Sequence, residues 1–178
     1  MTQGPSFALF RAVNVGKRQA SKDQLRHPFE ALGCTDVSTY IASGNVAFTT
    51  ERTDLDALGL EAETLFAAEL GFESEIFVRS AVELSAVGRQ LPFGAVSAGH
   101  TLHVGFMATP PSAAVNAEVV ALSNDVENLV VIGRELYWHV QGNFMASVLK
   151  PNATTKTLQQ PNTMRNMNTV HKMVAKFL

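Results

Sequence analysis

The chain has 178 residues, 46% of them hydrophobic and 17% charged, enough for one ordinary domain or two small ones without disulfides or metals to hold them. Fourteen Lys+Arg against sixteen Asp+Glu give a net charge of −2, which argues against a generic, histone-like nucleic-acid binder. A lone cysteine, Cys34, excludes a disulfide framework or a Cys-rich metal site, and no apolar run approaches the ~20 residues of a membrane span. A soluble, cytoplasmic protein with no membrane partner is the expectation.

In chain order, Phe7–Val13 is a short apolar run suited to a buried strand. Ser21-x-x-Gln24 is a capping box, and Leu25, Phe29 and Leu32 follow at helical spacing before Gly33 stops the helix. Pro28 removes a donor inside that helix and predicts a kink or a late start. Val37–Ala42 and Val46–Thr49 read as strands joined by a tight turn at Ser43-Gly44-Asn45. Thr53-x-x-Asp56 opens a second helix ending at Gly71, and Glu75–Arg79 gives a fourth strand. The order β-α-β-β-α-β is the split pattern of ferredoxin-like folds. Ser80-x-x-Glu83 starts a further helix, and residues 91–99, rich in small residues, read as a linker.

Beyond the linker come a strand at 101–107, a helix near 113–122, strands near 129–132 and 136–140, and a C-terminal helix. In that helix Val170, Met173, Val174 and Phe177 share one face and Asn166 stands at the N-cap. The second series lacks a convincing last strand. The predicted fold is therefore α+β, with two ferredoxin-like halves over 1–90 and 100–178, antiparallel sheets, and helices packed on one face.

The segments Arg11-Ala12-Val13-Asn14-Val15-Gly16, Tyr40-Ile41-Ala42-Ser43-Gly44-Asn45-Val46, Val78-Arg79-Ser80 and Thr163-Met164-Arg165-Asn166-Met167-Asn168-Thr169-Val170 resemble the signature blocks of a bacterial family. It is domain-of-unknown-function family 1697. Ala12 and Val13 stand where that family usually has Gly and Ile, Met167 where it has Trp, and Ala42 where it has Gln. The last two differences remove a flat ring and an amide. The resemblance implies a fold and supplies no chemistry.

Charge is unevenly spread. Residues 51–135 hold thirteen of the sixteen acids, for a balance of −9, while residues 1–50 carry +2 and everything after Glu135 carries +5 with no acid at all. In a split β-α-β unit the loop after the first strand and the hairpin between the second and third share one sheet edge. That places Arg11, Asn14 and Lys17 near Ser43, Gly44 and Asn45, where glycine backbone and amide groups form an anion-attracting nest. Arg165, Asn166 and Asn168 at the C-terminal helix start are a second candidate, because free helix amides and an arginine fork suit phosphate or carboxylate. These nine residues are the candidate ligand-binding set, for a phosphorylated small molecule or a nucleic-acid backbone. The alternative is that they only shape turns, caps and internal pairs in an interaction protein.

Sharper motifs are absent. Gly16-Lys17-Arg18 lacks the first glycine and the hydroxyl of a P-loop, Ser43 lacks a nucleophile elbow, and His100 and His103 fall on opposite faces of one strand. No catalytic constellation, cofactor or metal site is indicated, although a small enzyme of unidentified chemistry stays open.

Overall fold

The computed structural model describes residues 4–41, 44–149 and 152–178. The chain divides into two compact units, Met1–Ala86 with Lys172–Leu178, and Val87–His171.

The first unit runs β1 (Ser6–Phe10), α1 (Lys22–Ala31), β2 (Thr35–Thr39), β3 (Asn45–Thr49), α2 (Leu55–Leu70) and β4 (Ile76–Ser80), followed by α3 (Ala81–Arg89). Its antiparallel sheet has the order β2-β3-β1-β4, the ferredoxin-like arrangement. Alternation decides which side chains face α1 and α2. Ala8, Phe10, Val46, Phe48, Ile76 and Val78 point to Leu25, Phe29, Leu58, Ala62 and Phe66 in one buried cluster. The Phe29 ring stacks on Phe48 at 4.6 Å, and Phe10 lies 5.1 Å from Phe66.

Local signals explain most of the boundaries. Ser21 Oγ accepts from Gln24 N while Gln24 Oε1 accepts from Ser21 N, a complete capping box. The helix starts on time at Lys22 and runs through the buried Pro28, so the expected late start does not occur. Asp54, one residue beyond the predicted Thr53, caps α2 by accepting from Ala57 N. β2 begins and ends earlier than the Val37–Ala42 pattern suggests. A bulge between Thr35 and Ser38 carries Asp36 at φ 52°, and Ile41 at φ 57° turns the chain out of the strand.

The second unit repeats this design with β5 (Thr101–Met107), α4 (Ala113–Val120), β6 (Glu127–Ile132), β7 (Glu135–Val140), a single 3-10 turn (Phe144–Ala146), α5 (Ala153–Leu158) and β8 (Asn162–Asn166), then α6 (Met167–Phe177). Its sheet order, β6-β7-β5-β8, is the same order shifted by four strands. Met107, Leu129, Val131, Leu136, Trp138 and Val140 form its core with Val119 and Leu158.

The last strand missing from the sequence reading is β8. It escapes a hydrophobic-pattern search because Asn162, Thr163 and Arg165 are buried polar residues. The likeness of the halves extends to side chains. Arg79 pairs with Phe7 in β4·β1, Arg165 pairs with Val104 in β8·β5, and each guanidinium donates to the carbonyl of the preceding residue.

Candidate functional site

The edge of the first sheet formed by the end of β1 and the β2–β3 hairpin gathers most of the candidate residues. Phe10 N donates to Gly44 O at 2.8 Å, so β1 and the hairpin are neighbours there. Of the predicted set, Ser43 lies outside the described residues.

Among the described residues at this edge, four are left-handed: Ala12 at φ 54°, Gly16 at 63°, Ile41 at 57° and Gly44 at 74°. For a β-branched residue such as Ile41 that backbone is costly, and such strain concentrates where structure serves binding or switching. Ile41 and Val15 are exposed beside it.

The loop between β1 and α1 is closed on itself. Asn14 Oδ1 accepts from Ala20 N at 3.0 Å, and Arg18 N donates to Val15 O across the turn that Gly16 permits. Asn14, Gly16, Arg18, Gln19, Ser21 and Gln24 line an open concavity of about 590 Å³, and Lys17 is exposed on the same loop. From Arg11 to Lys22 the segment has four cationic side chains and no acid.

Arg18 also borders a second cleft of about 400 Å³ with Arg11, Glu63, Glu73, Ser74 and Glu75. There its guanidinium sits 5.4 Å from the Phe72 ring centroid and donates to Glu73 O. Arg11 Nη1 contacts both Glu75 oxygens at 3.1 Å, and Ser74 Oγ donates to Arg11 O, so Arg11 fastens β1 to the segment entering β4. Glu63 accepts from Ile76 N at 2.7 Å; burial, the larger effect, raises its pKa, and that bond opposes the rise.

Other candidates turn inward. Asn45 is completely buried, and its Nδ2 donates to Tyr40 O while its own carbonyl accepts from Tyr40 N, so it pins the hairpin. A Cβ on Gly44 would stand 2.8 Å from Val13 Cγ2 and 2.9 Å from Phe10 Cβ. The close approach that glycine allows is to the chain itself rather than to a ligand.

Arg165 is not a fork beside a helix start. It lies within β8, 7% exposed, with Nη1 donating to Thr163 Oγ1 at 2.8 Å and to Met164 O at 2.9 Å. Strand alternation sets it on the face opposite Met164, which packs against the second unit's core, and burial lowers its pKa to about 10. Asn166 Oδ1 accepts from Asn168 N, which makes it a local cap for α6.

Sequence reasoning missed two acidic sites and one histidine pair. Glu127, at 0% exposure on β6, accepts from Trp138 Nε1, Ser147 Oγ, Val148 N, Leu149 N and Asn124 Nδ2. Burial alone would raise its pKa, but the donors outweigh burial and hold the carboxyl below its ordinary value. Glu63 was likewise unmarked. The pair is His100 and His139, far apart in sequence and in contact in the second unit. Among the described residues no group of three or more His, Cys, Asp or Glu is arranged to hold a metal, and no helix is long and apolar enough to cross a membrane.

Comparison with solved structures finds the conserved bacterial protein SP0830 from Streptococcus pneumoniae. It has 24% identity and a TM-score of 0.71, with 98% of this chain and 99% of that one covered. At that identity the likeness speaks for the fold alone. No curated protein is matched significantly. The family model for "Protein of unknown function (DUF1697)" matches residues 5–137. That span contains the loop, hairpin and β4 segments quoted above, though not the one at 163–170, and by it the chain belongs to the DUF1697 family.

Proposed function

We propose that the β1–α1 loop edge of the first unit binds a phosphate-bearing ligand, either a nucleotide-like small molecule or a nucleic-acid backbone. One observation carries the reading: an open concavity lined by Asn14, Gly16, Arg18, Gln19, Ser21 and Gln24 lies on a stretch of chain, acid-free from Arg11 to Lys22, that also bears the exposed Lys17. Left-handed, strained backbone at the same edge supports it. Asn14, Gly16, Lys17 and Arg18 are the anion-facing groups, with Val15 and Ile41 offering apolar contact to a base or ring. Arg165 and Asn45 are spent internally and have no part in the proposal.

The test is binding of a nucleotide series and a short fluorescent single-stranded RNA across a salt series, comparing the natural chain with Lys17→Ala/Arg18→Ala. Saturable binding that weakens with salt, with a smaller salt slope in the double variant, is the expected result. Absence of binding at low salt refutes it. The interaction-protein reading then moves ahead, favoured by the internal hydrogen bonds of Asn45, Arg165 and Asn166.

A further inference from the structure

We propose that His100 and His139 form a two-histidine chelate for a divalent transition-metal ion such as Zn²⁺ or Cu²⁺, with water completing the coordination. Both residues belong to the second unit: His100 immediately precedes β5, and His139 lies on β7 opposite Leu102. His100 Nδ1 and His139 Nε2 are 3.2 Å apart, and the ring centroids are 5.2 Å apart.

Those two distances are informative together. Two imidazole nitrogens at about 2.0–2.1 Å from a tetrahedral ion stand ~3.3 Å from each other, with ring centroids ~5.2 Å apart. Rings aimed straight at one another along a linear N–H···N bond of the observed length would have centroids about 5.5 Å apart. The observed rings are therefore canted away from a linear bond, and their centroid distance matches the chelate value.

The Phe93 ring, 5.8 Å from that of His139 and inclined at 34°, fixes the imidazole plane by packing. His139 Nδ1 is buried without a hydrogen-bond partner. An outer acceptor is what strengthens most metal-bound histidines, so the affinity is expected to be modest.

Trp138, the single tryptophan, adjoins His139 in sequence, so its emission reports Cu²⁺ bound nearby. The experiment titrates Cu²⁺ into the full chain near neutral pH, with Zn²⁺ as competitor. Saturable one-to-one quenching, competed by a large excess of Zn²⁺ and weakened at least tenfold by His100→Ala, is the expected result. His27→Ala serves as control, because His27 with Glu69 at 2.7 Å is another place a metal can land, and it should leave the curve unchanged. His139→Asn should weaken binding like His100→Ala; should that variant misfold, His100→Ala alone decides, since its side chain precedes the strand. No saturable quenching, or quenching that His100→Ala does not alter, overturns the proposal.

Discussion

Replacing Glu127 with Gln tests whether a buried carboxylate organises the segment after β7. Oε2 takes Trp138 Nε1 and Ser147 Oγ, and Oε1 takes Val148 N, Leu149 N and Asn124 Nδ2. A glutamine has one accepting oxygen, so either amide orientation sets an NH₂ against at least one fixed N–H. The milder orientation strands the Trp138 indole, while the Ser147 hydroxyl can turn. An unsatisfied buried donor costs about 1–3 kcal/mol, and loss of charge assistance adds to it, for a total of roughly 2–3 kcal/mol. Glu127→Ala, which strands the donors together, should cost about 3–5 kcal/mol. Urea denaturation followed by Trp138 emission reads the second unit directly. With a slope of about 1–3 kcal/mol per M for a small protein, the Gln variant should lose about 1 M in midpoint. Because the folded pKa lies below the unfolded one, the carboxylate's contribution is complete above the unfolded value and is lost as pH falls through the folded value. The gap between natural chain and Gln variant should therefore close in acid below about pH 4. An unchanged midpoint at neutral pH would refute the reasoning.

Burial holds His103 at about 4 instead of its ordinary 6.5, so the fold favours the neutral ring and loses that stability as pH falls between those two values. After discounting for solvent at a half-buried ring, about 1 kcal/mol should be lost by about pH 5; urea midpoints at neutral and acid pH measure it. An equal loss in His103→Phe would assign the effect elsewhere. Arg165→Ala should lower stability by about 3 kcal/mol, since it orphans polar groups in a buried strand, and thermal melting that shows no change would return Arg165 to the list of surface groups. Gly44→Ala forces a side chain into left-handed backbone and against Val13 and Phe10, for a cost of at least about 2 kcal/mol by urea titration. A neutral result there would mean that the hairpin relaxes freely.

The fold was legible wherever local chemistry and the final environment agree. Ser21 with Gln24, the left-handed Gly44 just before β3 and the alternating Phe10, Val46 and Phe48 all obey short-range rules that tertiary packing then respects. β8 was hidden because its buried positions, on both faces of the strand, carry Asn162, Thr163 and Arg165, which only a defined set of partners makes tolerable. At the candidate site, the neighbourhood of loop and hairpin followed from strand order. Which amides face solvent did not: Asn45 and Asn14 look alike in sequence, yet one is sealed in the hairpin and the other rims a concavity. Glu127 and the His100–His139 pair depend on contacts across the second sheet and its following segment, which no spacing rule reveals.

The first unit is built from two stretches of chain, Met1–Ala86 and Lys172–Leu178. The later stretch is not a loose addition: the Phe177 ring meets Phe7 at 5.8 Å and Tyr40 at 5.9 Å. During synthesis, the first 86 residues leave the ribosome with strand Ser6–Phe10 already made but its aromatic neighbour still untranslated. Domains generally mature in the order they are made; here the earliest unit must wait for the residues that follow the whole of the other one. A released fragment ending near residue 90 should accordingly be more sensitive to protease than the same stretch within the finished chain.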